Sequence, residues 1–403
     1  MKNRLRLLFV LMLFVAASAQ AQTAPPYITE ITPAGAKRGA TVNFTIDGYN
    51  LGGASEILWS RPGITSKIVL NSELVREPRR RPTNPADQVI LDRATKNQLT
   101  IEATIAADAA PGFYGYRIVT PLGTTNLGRI IVGILPETRE RETMEPAQSD
   151  AAMTVQKLSL PATVVGELQR RGDSDSFKFA AKSGQQIVFE VVASALGSKL
   201  DSVLTLFDET GRQLAANNDF DGRKDSLLGY TFQQDGEYTL RIHDFERQGQ
   251  RGQYGYRLNI GELRYLTHAF PLGARDGVAT EVAIHGFNLD SNKITITSRK
   301  QAGFETGVPL LVKSARGESF NSLKMPVGVH PEVMESGTRS TLASPQPVTL
   351  PVTINGRIFS DAGASDEDFY RFKARKGQRL AIEVGARRYG SPLDSVIEVL
   401  DAK

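Results

Sequence analysis

Cysteine is absent from the 403 residues, tryptophan occurs once, and histidine only four times. The first absence removes disulfides, thiolate nucleophiles and thiolate metal sites, so each folding unit depends on its own apolar core. The histidines, His243, His268, His285 and His330, form no HExxH arrangement. No G-x-S-x-G elbow, P-loop or G-x-G-x-x-G opening a helix occurs either. Only a triad assembled in space from distant residues escapes that test. No run beyond residue 17 approaches the ~20 apolar residues of a membrane helix. No amphipathic run of helical period lasts more than about two turns.

What is present begins with a targeting pattern. Lys2, Arg4 and Arg6 precede an apolar run from Leu7 to Ala17, and Ala19-Gln20-Ala21 offers a small-residue cleavage site. Residues 1–21 therefore read as a signal peptide, with the mature chain starting near Gln22, exported and without a membrane span. Secretion, the periplasm and the cell surface are all open destinations, and the lack of disulfides leans toward a bacterial source. Removing those three basic residues lowers the formal net charge of +4 to about +1. The high isoelectric point is then no sign of nucleic acid as a partner.

A two-part unit is written twice. PAGAKRGATVNFTIDGYNL from Pro33 runs without a gap against PLGARDGVATEVAIHGFNL from Pro271, and NLGRIIVGILPE at Asn126 against NSLKMPVGVHPE at Asn321. LSLPATVVGEL at Leu158 recurs as VTLPVTINGRI at Val348, and LDSVLTLFD at Leu200 as LDSVIEVLD at Leu393. The order is A-B-A′-B′, and the last unit reads as truncated, its second half being expected beyond Lys403. Strand patterns such as QQIVFEVV at Gln185, SVLTLF at Ser202 and EYTLRI at Glu237 alternate with Gly, Pro and Asn clusters. The predicted fold is all-β: tandem antiparallel β-sandwiches, immunoglobulin-like and jelly-roll-like, as beads on a string.

Unit A is placed at 27–133. Its two ends, ITEITPAGAKRGATVNFTIDGYNL and PGFYGYRIVTPLGTTN, resemble the immunoglobulin-like IPT/TIG family. Its middle carries an insertion with Arg79, Arg80 and Arg81, read either as a site for an anion or as a solvated loop. A polar linker follows at 134–153. Unit B, at 154–261, keeps a longer series of motifs: LPATVVGEL, DSDSFKF, AKSGQQIVFEV, LDSVLTLFDETGRQLAANND, DGEYTLRI and GQYGYRLNI. That series resembles the bacterial pre-peptidase C-terminal domain, a β-sandwich appended to secreted peptidases. The resemblance implies a role in binding or secretion rather than hydrolysis. Unit A′ is placed at 263–329 and the shortened B′ at 348–403.

Two acidic clusters in B invite a metal. Asp173 and Asp175 share parity with Phe177 and Phe179 and so point toward the core face of an extended strand. They either accept backbone N–H groups of a turn or ligate Ca²⁺, which some members of the resembled family bind. Asn217, Asp219 and Asp221, followed by Gly222, match the opening of a calcium loop, but position twelve is Leu228 and no helices flank it. The family's acidic linker pattern is present only in altered form, at Glu145-Pro146-Ala147 and Glu335-Ser336-Gly337. Arg171-Gly172-Asp173-Ser174 matches an integrin-binding string of only four residues.

No catalytic residue or cofactor other than Ca²⁺ is predicted. The leading reading is an exported non-catalytic protein that binds or positions a partner, a protein or polysaccharide at the cell surface. The alternative is the non-catalytic part of a larger secreted peptidase or other hydrolase.

Overall fold

A computed structural model describes residues 24–74, 94–141, 155–299, 308–314, 317–336, 341–359 and 366–401. The predicted signal peptide at 1–21, Arg79 to Arg81, Glu145-Pro146-Ala147 and Gly337 lie outside the described residues. Among the described residues the regular elements are β-strands, with two short 3₁₀ turns at Ser194–Leu196 and Arg387–Tyr389. The chain is a series of β-sandwich units.

In A, β1 (Tyr27–Thr32), β3 (Thr41–Tyr49), β6 (Lys96–Ile105) and β5 (Ile64–Glu73) make one sheet in the order β1-β3-β6-β5. The other is β2-β9-β7-β4, from β2 (Gly35–Lys37), β9 (Gly128–Gly133), β7 (Gly112–Thr120) and β4 (Glu56–Trp59), with β8 (Gly123–Thr124) hairpinned onto β7. Alternation does the sorting: Leu99, Ile101, Ala103 and Ile105 of β6 are buried while intervening residues face out. They meet Tyr114, Tyr116 and Ile118 of β7 and Phe44 and Ile46 of β3. The Leu, Ile and Phe side chains among them contribute about 1.5–3 kcal/mol each by leaving water.

B is larger. One sheet runs β10-β12-β19-β14-β17 and the other β11-β13-β18-β15-β16. Its strands are β10 (Glu137–Arg139), β11 (Gln156–Lys157), β12 (Ala162–Glu167), β13 (Ser174–Ala181), β14 (Gln186–Val192), β15 (Ser202–Phe207), β16 (Gln213–Asn217), β17 (Leu227–Thr231), β18 (Gly236–Asp244) and β19 (Gly255–Gly261). Phe177, Phe179, Phe189, Phe232, Leu240 and Leu258 fill the space between. One boundary needs correction. Residues 137–139, expected in the 134–153 linker, form β10, which pairs parallel with β12. Its sequence, Glu-Thr-Arg, lacks an apolar signal because the strand is held by polar contacts. Chief among these is the ion pair of Glu137 with Arg257, whose side chain is 3 % exposed.

A′ repeats the entry to A. β20 (Tyr265–Phe270), β22 (Ala279–Phe287) and β23 (Lys293–Thr297) form a sheet, with β21 (Ala274–Arg275) beside Val327–Gly328. Asn50 and Asn288 both take left-handed backbone at φ 54°, which Asn tolerates better than bulky residues. A Cβ at Gly48 would collide with the Tyr27 carbonyl oxygen, and one at Gly286 with that of Tyr265. The Thr32–Pro33 and Phe270–Pro271 peptide bonds are both cis, as are Leu160–Pro161 and Leu350–Pro351. In the last unit Glu332–Met334 pairs parallel with Thr353–Asn355, as β10 does with β12. Gln346–Pro347 pairs parallel with Tyr370–Arg371, as β11 does with β13.

The units touch. Leu135, Val188, Leu227, Leu263 and Tyr265 form a separate apolar cluster, flanked by Ile134, Phe220, Phe287 and Phe320. It joins the segment just after A, the β14–β17 edge of B and the start of A′.

Candidate functional site

Several carboxylates of B accept backbone amides and so fix its turns and loops. Asp173 accepts from the Gln169 amide at 2.7 Å and from that of Ser174 at 3.1 Å, closing the turn before β13. Asp225 accepts from Ala193 and Ser194, Asp235 from Ser183, and Asp244 from Asp201, Glu246 and Gln248. At Asp208 the Thr210 hydroxyl, with the amides of Thr210 and Arg212 and the Arg212 guanidinium, holds the carboxyl down at about 2. At Asp208 and Asp244 the short carboxylate reaches amides two and four residues on, as in Asx turns, whereas Asp225 and Asp235 tie segments 31 to 52 residues apart. The Asp of the Arg-Gly-Asp string is thus part of a turn.

Asp175 belongs to a different group. Its carboxylate accepts the Tyr256 hydroxyl at 2.7 Å. Glu140, just past β10, accepts the Glu167 amide at 2.7 Å, and Gly166 lies against both the Glu140 carboxylate and the Tyr256 ring. A side chain at residue 166 would fill that cradle.

The last unit repeats part of the arrangement. Glu335 accepts the Arg357 amide at 2.7 Å, as Glu140 does that of Glu167. Gln346 bridges the Ser336 amide and the Met334 carbonyl, as Gln156 bridges Arg141 and Arg139. Asp366 accepts the Phe359 amide at 2.6 Å, in the manner of Asp173. One oxygen of each of Glu335, Asp366 and Asp368 is buried without a hydrogen-bond partner. Burial, aided by the charges of Glu335 and Asp366, pushes the Asp368 carboxyl up to about 6, and the Tyr370 hydroxyl is raised to about 12, chiefly by burial. Orphaned hard oxygens under mutual repulsion are the donor set that Ca²⁺ suits. As the side chains stand, no three His, Asp or Glu groups among the described residues surround one point at ligand distance.

The second predicted cluster lies elsewhere, and the structure does not bring it to Asp173 and Asp175. The Asn217 amide donates to the Asp219 carbonyl and its oxygen accepts the Leu227 amide at 3.0 Å. Asp219 is exposed. Asp221 faces His268 of A′, with Nε2 3.3 Å from the carboxylate, and Phe220 lies beside that imidazole. The loop therefore abuts A′.

Sequence reasoning missed the polar centre of this junction. Glu190 of β14 accepts the Tyr265 hydroxyl at 2.6 Å and the Asn259 amide at 2.8 Å, while Thr163 donates to Asn259 at 2.7 Å. Burial raises the Glu190 carboxyl above the ordinary range, against the hydrogen bonds of Tyr265 and Asn259 and the charge of Arg223. It raises the Tyr265 hydroxyl further still. Asn288 of A′ bonds the Gln186 side chain and backbone at 2.9 and 3.1 Å. The available signal was a single Glu inside the apolar run of β14. Of the histidines, His268 and His285 sit opposite each other on β20 and β22. His243 lies in β18, where burial, then Arg247 and Arg241, lowers it to about 4.

Residues 173–244 match the bacterial pre-peptidase C-terminal domain family. That segment lies inside the sandwich of B and agrees with the resemblance carried by its motifs. Over 71 residues the chain is 41% identical to a probable subtilase-type serine protease of Deinococcus radiodurans, a stretch covering 17% of this chain and 10% of the protease. The chain thus matches about a tenth of that relative's length. Among solved structures, the pre-peptidase C-terminal domain of a Bacillus anthracis collagenase aligns with 28% of this chain and 99% of its own. The identity is 16% and the TM-score 0.23. Aeromonas hydrophila PliG, a periplasmic inhibitor of g-type lysozyme, aligns with 27% and 95% at 16% identity and a TM-score of 0.22. No helix among the described residues is long and apolar enough to cross a membrane.

Proposed function

We propose that the chain is an exported, non-catalytic array of β-sandwiches that binds or positions a partner, a protein or polysaccharide at the cell surface. The observation carrying this reading is that the polar side chains of B's motifs are anchored in turns and junctions, with the pre-peptidase C-terminal match inside the same unit. Tandem weak sites gain from effective concentration, which gives the repetition a physical use. A second reading, the accessory region of a secreted peptidase, is favoured by the 41% identity with the subtilase-type protease. Both place the chain outside the cytoplasm, in keeping with the signal-peptide pattern of residues 1–21.

Within this reading, B′ is a second copy of the pre-peptidase C-terminal unit, supported by the matched bonds of Glu335, Gln346 and Asp366. A and A′ are IPT/TIG-type units, supported by the shared turn around Asn50 and Asn288. Ca²⁺ would be held by Glu335, Asp366 and Asp368 in B′, and by Glu140, Asp173 and Asp175 in B. The ion would draw the carboxylates together and fix the strand that enters each unit.

The test is direct. Purified mature chain should sediment with isolated cell envelopes or insoluble polysaccharide and should leave casein and generic esters intact. Turnover lost on one Ser or His substitution would overturn the non-catalytic reading.

A further inference from the structure

We infer that B and A′ form a two-state joint, whose closed state is strengthened by proton uptake at Glu190. The geometry sets the device. Glu190 belongs to B, its hydroxyl partner Tyr265 belongs to A′, and its amide partner Asn259 is fixed by Thr163. Closing the joint lays Tyr265, Leu263 and Phe287 over Val188 and Leu227. Phe287 comes so close to Gly229 that a Cβ there would collide with its ring. The closed joint therefore leaves Glu190 half-buried, its carboxylate partly screened from water, and the open joint returns it.

A carboxylate moved out of water favours its protonated form. Three neighbours oppose that trend, Tyr265 and Asn259 by hydrogen bonds and Arg223 by its charge, while Asp225 adds to it. Burial is the largest effect, so the closed state holds the proton more tightly than the open state. By linkage the closed state is then fully favoured below the ordinary Glu range and weakens as pH rises through the raised value. The neutral carboxyl keeps its contacts, because a tyrosine hydroxyl both donates and accepts. At the rim, Asp221 faces both Arg223 and His268, with His285 opposite His268 across the sheet.

The chain has no cysteine of its own, so two labels can be placed cleanly. Spin labels at Glu209→Cys in B and Asn292→Cys in A′, both exposed positions, report the distance across the joint by pulsed electron paramagnetic resonance. The expected distribution is narrow at about pH 5 and broad at about pH 8. Glu190→Gln, which keeps the shape without the charge, should be narrow at both. Tyr265→Phe removes a donor to the ionised form and should broaden the distribution further at about pH 8. A wild-type distribution that does not change with pH, or an unchanged pH response in Glu190→Gln, would overturn the inference.

Discussion

Asn126 grips the peptide group of Ile28 by both ends of its carboxamide. The Ile28 amide donates to Oδ1 at 2.6 Å and Nδ2 donates to the Ile28 carbonyl at 3.0 Å. Asn321 holds Leu266 in A′ the same way, at 2.7 and 2.8 Å. The first strand of each unit is thereby stitched to the segment that closes the unit, 98 and 55 residues away. Removing either carboxamide leaves a backbone donor and acceptor unmatched, at about 1–3 kcal/mol. Asn126→Ala should lower the melting temperature of A by roughly 4–8 °C per kcal/mol, read by differential scanning calorimetry. A change below about 1 °C would show that water replaces the clasp at no cost.

The ion pair of Glu137 and Arg257 yields a second expectation. Glu137→Ala leaves a guanidinium 3 % exposed without its partner, and breaking a buried pair from one side costs roughly 3–5 kcal/mol. A fragment of residues 134–261 should likewise withstand more urea than one of 155–261, because only the longer one contains β10. Equal midpoints would place β10 outside the cooperative unit.

His243 should make B less stable in acid. Its side chain is 9 % exposed and titrates at about 4 in the folded state, so the unfolded chain binds the proton first. Stability is present above the ordinary histidine value and is lost as pH falls from about 6.5 toward 4, by roughly 3 kcal/mol at most. His243→Gln should flatten that part of the profile, the opposite sign to Glu190. An imidazole titrating near 6.5 by NMR in the folded protein would contradict the burial argument.

Calcium provides the fourth. An ion that binds the folded unit alone stabilises it by RT ln(1 + [L]/Kd), about 2.7 kcal/mol at one hundred times Kd. Glu335→Gln with Asp368→Asn should reduce the rise in melting temperature between chelator and millimolar Ca²⁺. Asp219→Asn with Asp221→Asn should leave it unchanged, because Asn217 and Asp221 are engaged by Leu227 and His268. No rise in the native chain would leave both clusters as turns.

The fold was legible wherever side chains alternate or a turn demands a residue type. Leu99 to Ile105 announce a half-buried strand, and the Gly-x-Asn turn at Gly48 and Gly286 recurs because neither site has room for a Cβ. β10 was not legible, since an edge strand held by ion pairs carries no apolar period. Glu140 was hidden in the same charged stretch, and its part in the acidic group emerges only when β10 brings it beside Gly166 and Tyr256. Asp173 and Asp175 stood out as paired acids at strand parity, but their partners Gln169 and Tyr256 are set by folding. The junction was illegible because it joins Glu190 to Tyr265 across 75 residues, and no local pattern encodes that.

Leu135 and Leu263 lie in one apolar cluster, so the chain enters and leaves B at the same end. Topologically B is a side-arm, and A and A′ are its neighbours at the shoulder. The loops at the opposite tip, 168–173 and 245–254, present Arg170, Arg171, Arg247 and Arg251 to solvent, remote from the thread of the chain. A unit inserted this way can be gained, lost or exchanged without moving its neighbours, and whatever meets its tip is held at arm's length from the main line.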